Sequence, residues 1–271
     1  MLLNIAHSTH YSYATPQKRI VQSYRLLPSL CANQKVVAWN VSVGEATLSE
    51  PFTEGNGDRI LTMTATGPVS ALTIEVTGQV ETQDLAGVLK DHREMTNPLA
   101  YLRETPLTRP DATMRARAAA LAASHAGGTQ LDLAHALAAM TNAAIAYLPG
   151  SSHAGDSAAS AWAAGKGVCQ DQAQALIALA RVCGLPARYV IGYLFADADG
   201  NSHEASHAWA ELHVSGLGWV GFDVANACCP DDRYIRLGSG LDAADGAPIR
   251  GIAFGAGAEG MEINLSVTAD Q

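Results

Sequence analysis

Basic residues are scarce in this chain: Lys and Arg number 17 against 26 Asp and Glu, a formal net charge of -9. No lysine/arginine cluster offsets that balance, so neither a nucleic-acid backbone nor an anionic membrane surface is an expected partner. Long apolar runs are missing as well. The opening MLLNIAHSTHYSY has Leu2 and Leu3 but no basic start followed by a continuous apolar stretch, so it does not read as a signal peptide. No segment reaches the uninterrupted apolar length of a membrane span, and the expected compartment is the cytoplasm. Cysteines are few and odd in number: Cys31, Cys169, Cys183, Cys228 and Cys229. That pattern suggests reduced thiols rather than a disulfide scaffold, and no pair has the two-residue spacing of a zinc-ligand motif.

What the chain does have is 271 residues, 48% hydrophobic and 16% charged, enough for one large domain or two modest ones with real cores. The first 80 residues or so carry strand signals at Leu2 to Tyr13, Val36 to Val43, Ile60 to Ala65 and Ala71 to Val80. Turn material separates them at Glu45 to Pro51, Glu54 to Asp58, and Gly67-Pro68. Antiparallel strands in a sandwich are the expectation, in a domain over residues 1–84 that orients substrate or serves structure. A polar, proline-punctuated linker is expected at 85–110.

The next segment, 111–271, changes character. Asp111 to Ser124 and Asp132 to Tyr147 are alanine-rich with helical periodicity, and Ser157 to Ala164 reads as a short helix. Gly165 to Tyr193, GKGVCQDQAQALIALARVCGLPARYVIGY, is the organising stretch. Ala173, Leu176, Ile177 and Ala180 predict a helix from about Cys169 to Cys183, ended by Gly184 and Pro186. Cys169 then sits in the first turn, where unpaired N–H groups and the helix dipole favour a thiolate. Ala187 to Leu194 reads as a strand, Ala208 to Val214 and Trp219 to Phe222 as a hairpin, and Met261 to Val267 as a closing strand. Helices followed by an antiparallel sheet make this part α+β.

A cysteine nucleophile needs an imidazole to take its proton and a third group to orient that imidazole. Cys169, His207 just before the hairpin, and Asp223 just after it supply those types. Each alone has a simpler reading: a packed cysteine, a hydrogen-bonding histidine, a turn-capping aspartate. Only as a set do the three point to nucleophilic catalysis.

Four blocks, Gly167 to Asp171, Leu185 to Tyr193, Ser206 to Glu211 and Gly218 to Asp223, resemble in order those of the bacterial transglutaminase-like superfamily. The N-terminal strands look like the β region that precedes the core in one bacterial branch. The resemblance implies an antiparallel β domain followed by a papain-like core, with a helix packed on an antiparallel sheet. It places nucleophile, base and orienter on Cys169, His207 and Asp223. It implies a thiol-dependent peptidase or amide hydrolase acting on a peptide or protein, with no cofactor and no metal. A glutamine acyl transferase and a peptide-binding scaffold without turnover are the alternatives. Two features depart from the family pattern: Gln172 replaces a bulky aromatic or histidine, and Arg236 to Asp242 lacks an arginine-aspartate-tyrosine run.

The Cys169 N–H is one expected oxyanion donor, with a second sought near Tyr147. Asp171 is expected to cap the helix, Arg188 to pair with an acid, and Trp209 and Trp219 to pack in the sheet. His203 to His207 also spells H-E-x-x-H, but that zinc motif requires a helix, and a turn followed by strand alternation surrounds it here.

Overall fold

The computed structural model describes residues 1–153, 155–196 and 206–270. Its first sheet is built on two long antiparallel strands, β1 (Leu2–Tyr24) and β5 (Arg59–Thr82). β2 (Gln34–Ser42), β3 (Thr47–Leu48) and β4 (Phe52–Thr53) pair along β5. At roughly 3.3 Å per residue such strands would run far beyond a small domain if straight. Register breaks between Ser12 and Gln17 and again before Arg19 bend them. Tyr11, Tyr13, Leu72 and Ile74 from one half of the sheet then share a core with Ile20, Tyr24, Leu61 and Met63 from the other. The expected sandwich is thus one sheet folded over on itself. Gly67-Pro68, expected as a turn, lies inside β5. A Cβ on Gly67 would stand 2.0 Å from the Gln17 carbonyl oxygen, so only glycine fits where the two strands cross the bend.

The helices follow. α1 (Ala112–Ser124) is capped by Asp111, whose side chain accepts from Met114 N. α2 (Gln130–Ala144) starts in a capping box between Thr129 and Asp132. The tiny strand β6 (Ala146–Tyr147) pairs with β7 (Lys166–Gly167), on either side of α3 (Ala158–Ala164). α4 (Cys169–Val182) is buried continuously from Asp171 to Arg181. Ala173, Ala175, Ala178 and Ala180 let α1, α2, α3 and a second sheet close around it.

That second sheet is antiparallel, in the order β10 (Gly218–Phe222), β9 (His207–Val214), β8 (Ala187–Leu194), β11 (Tyr234–Gly240). β8 matches the expected strand, and β9–β10 is the expected hairpin.

One expectation of organisation changes. The expected closing strand is β13 (Glu259–Ala269), but it pairs with β1, as does β12 (Ile249–Phe254). Residues 249–269 therefore belong to the first sheet rather than to the 111–271 unit. Period-two alternation specifies a half-buried strand, not its partner, and β1 had an open edge.

The segment 85–110, expected as a linker, is tied to the rest of the chain. Arg181, buried at the end of α4, donates to the carbonyls of Tyr101, Ala187 and Leu241 and to Thr108 Oγ1. The two sheets also share one core, with Leu3, Ile5, Val80, Leu265 and Val267 packed into the cluster around α4. Among the described residues no helix is long and apolar enough to cross a membrane.

Candidate active site

Val168 is extended and closes the start of α4 by donating its N–H to Asp171 Oδ2 at 2.8 Å. Asp171 is fully buried and acts as the expected cap. It packs so tightly under Gly167 that a Cβ there would come within 2.7 Å of its own Cβ. This cap fixes Cys169 as the first helical residue, half-buried, with its N–H outside the helix's own hydrogen-bond ladder. Gln172, one turn on and buried, donates to the Ile145 carbonyl at 2.8 Å and ties the end of α2 to the same turn. Through the β6–β7 pairing Tyr147 lies opposite Gly167, two residues before the cysteine.

His207 opens β9 and is 2% exposed. Its Nε2 meets Asp223 Oδ2 at 2.7 Å, and its side chain is also hydrogen-bonded to Cys169. Burial pulls the imidazole towards neutrality, but the hydrogen bonds and charges of Asp223 and Cys169 outweigh it and push it up to about 10.

Asp223 follows β10, where its backbone bridges to Cys228 in both directions. Burial opposes its charge, yet the donors around it, His207 first, hold it below the usual carboxylate range. Oδ2 also accepts from Asn226 Nδ2 and Tyr234 Oη, each at 2.7 Å, and Oδ1 accepts from the Ala225 and Asn226 N–H groups.

The structure therefore brings together all three residues singled out in the sequence. It adds two that the sequence reading missed. Asn226, three residues after Asp223, could have been suspected from turn chemistry. Tyr234 arrives from β11, at the far edge of the sheet, and no motif marks it. On the α2 side of Asp223 a cleft of about 400 Å³ is lined by His135, Asn142, Phe222, Cys228 and Cys229 among others.

Arg188 pairs with acids, as expected, but away from Cys169: it bonds Glu94 and Glu211 and sits over Trp219. Trp209 and Trp219 are both buried in the sheet. His203 and Glu204 of the H-E-x-x-H match lie outside the described residues. His207 begins a strand, and no group of His, Cys, Asp and Glu suited to a metal occurs among the described residues. A thiol at a helix start, an imidazole and an orienting carboxylate are the parts needed for acyl transfer through a thioester.

A helix that opens on a cysteine, packed on an antiparallel sheet whose strand ends carry a histidine and an aspartate, is the transglutaminase-like arrangement. Residues 116–224 match the family model of the transglutaminase-like superfamily, and residues 3–81 that of the bacterial transglutaminase-like N-terminal region. The chain belongs to that superfamily, in the form that carries the bacterial N-terminal region. The uncharacterized protein ML0607 of Mycobacterium leprae is 28% identical over 284 aligned positions, covering 98% of each chain. The uncharacterized protein Rv2569c of Mycobacterium tuberculosis is 40% identical over 111 residues, 38% of this chain and 35% of that one. A crystal structure described as a "putative cysteine protease" from Cytophaga hutchinsonii superposes with a TM-score of 0.74 at 20% identity. That superposition covers 100% of this chain and 92% of the other, and the shared fold includes the N-terminal sheet.

Proposed function

We propose that this protein is a thiol-dependent peptidase or amide hydrolase. Cys169 attacks an amide carbonyl of a peptide or protein, His207 takes the thiol proton and returns it to the departing amine, and Asp223 holds the imidazole. Water then resolves the thioester, again with His207 as base. The Cys169 N–H supplies one oxyanion donor, and the second is sought near Tyr147, which pairs opposite Gly167.

One observation carries this reading. A buried imidazole is hydrogen-bonded at once to a helix-start cysteine and to a carboxylate at 2.7 Å. The chemistry needs no cofactor. A net charge of -9 argues against nucleic acid as a partner, and five free cysteines fit a reducing compartment, the cytoplasm.

Incubating the protein with a peptide library, with and without a primary amine, and reading products by mass spectrometry against Cys169→Ala tests the reading. Cleavage that needs Cys169 supports a hydrolase. Amine adducts in excess of cleavage would reassign it as an acyl transferase, and an inert wild-type protein would make it a scaffold.

A further inference from the structure

We propose that Tyr234 is a positioning residue that acts on His207 through Asp223, and that the Cys228 thiol completes its hydrogen bonding. The proposal rests on the reading of Cys169, His207 and Asp223 as the working set.

The hydrogen-bond directions follow from counting protons. Tyr234 has a single hydroxyl proton, and Asp223 Oδ2, 2.7 Å away, can only accept. The proton is therefore given to Asp223. Cys228 Sγ lies 3.4 Å from the same hydroxyl oxygen, so the thiol must be the donor there. Burial favours this direction, since it pushes the Cys228 thiol up and keeps it protonated. The phenol is likewise held protonated by burial and by the neighbouring Asp223 charge. The resulting line runs from Cys228 S–H to Tyr234 O–H to Asp223 Oδ2, which also receives His207 Nε2–H.

The packing shows why this contact is built and not incidental. Asp223 follows β10 at one edge of the sheet and Tyr234 opens β11 at the other. Between them Trp209 lies across Gly192, where a Cβ would come within 2.6 Å of the indole. Tyr234 stands edge-on to Trp209 at 5.6 Å between ring centres, in a small buried cluster with Val190 and Leu194. Asn226 is tied to Asp223 by sequence proximity; Tyr234 is the donor that couples a distant strand to the carboxylate.

The consequence for His207 is electrostatic. A carboxylate that shares its charge with more donors pulls less on an imidazolium, so removing the phenol proton strengthens the pull. The titratable groups facing this line are Asp223, His207, Cys169 and Cys228, with the Arg233–Asp231 pair at the outer rim of the Tyr234 ring. Arg233 and Asp231 are untouched by the variants below.

The test is a titration of the His207 ring by NMR on protein carrying labelled histidine, in a Cys169→Ala background, with the His207 signal assigned by its loss in His207→Gln. Tyr234→Phe, which keeps the ring against Trp209, is expected to raise the His207 midpoint by about half a pH unit or more. Cys228→Ala is expected to move it less in the same direction, and Cys228→Ser, which restores a donor, to return it to the parent value. A midpoint in folded Tyr234→Phe that equals or falls below the parent's overturns the proposal. Cys228→Ala and Cys228→Ser profiles that coincide with each other overturn the thiol's part, even if Tyr234→Phe does not fold. Because the background lacks Cys169, this result is separate from turnover. Peptide cleavage with an insensitive His207 sinks the inference alone, whereas a responsive His207 in a protein that cleaves nothing sinks the functional reading alone.

Discussion

Arg188 and Glu211 face each other on neighbouring strands, with Nε 2.6 Å from Oε2 and both side chains buried. Glu211 also accepts from Arg236, which in turn donates to Asp58 in the turn before β5, while Arg188 also donates to Glu94 of the 85–110 segment. These buried charges join three parts of the chain on the face of the sheet away from α4. Arg188→Met leaves Glu94 short of a partner and Glu211 with Arg236 alone, and breaking a buried pair costs about 3–5 kcal/mol. Urea unfolding should show a lower midpoint at an unchanged slope, with the shift multiplied by that slope equal to the loss.

The same cluster sets an acid limit. Burial opposes the Glu211 charge, but Arg236 and Arg188 overcome it and hold the carboxyl down at about 2, below its ordinary 4.5. A carboxyl lowered on folding contributes stability that is present above its unfolded value and lost as pH falls through its folded one. Glu211 should therefore steepen the loss of stability between about pH 4.5 and pH 2. Glu211→Gln should be less stable at neutral pH and flatter across that window, measured by denaturation at a series of pH values.

Gly192 is the third point of leverage. A Cβ there would stand 2.1 Å from the Ile235 carbonyl oxygen and 2.6 Å from the Trp209 ring. Backbone cannot yield as a flexible side chain can. Gly192→Ala should cost about 1–3 kcal/mol, as overpacking does, and should shift Trp209 fluorescence.

The candidate site was largely legible because its three chemical types sit at element boundaries. Cys169 opens a helix announced by Ala173, Leu176, Ile177 and Ala180, and His207 and Asp223 flank a hairpin whose alternation is plain. The Asp171 cap was readable for the same local reason. Tyr234 was not, because its bond to Asp223 joins opposite edges of a sheet and depends on how Trp209 lies over Gly192. Nor was the return of 249–269 to β1, since alternation does not name a partner strand. Glu94 looked like linker composition because its partners, Arg188 and Trp219, are far along the chain. Gly67-Pro68 looked like a turn because dipeptide chemistry cannot reveal that Gln17 passes directly against Gly67.

If Asp223 orients His207, Asp223→Asn should slow Cys169-dependent turnover by roughly 100- to 10,000-fold with the fold retained. The loss should fall mainly on kcat, because the carboxylate acts through the imidazole and not on bound substrate. A loss confined to KM would place Asp223 in substrate binding instead.

The most direct test of the central claim is the rate at which iodoacetamide alkylates Cys169 at pH 6.5, read peptide by peptide in wild type and in His207→Gln. A thiol coupled to an imidazole is expected to react at least about tenfold faster than the other four cysteines, and to lose that advantage when His207 is replaced. Alkylation of Cys169 no faster than of Cys31 or Cys183, and unchanged by His207→Gln, would contradict the claim that Cys169 and His207 work as a pair.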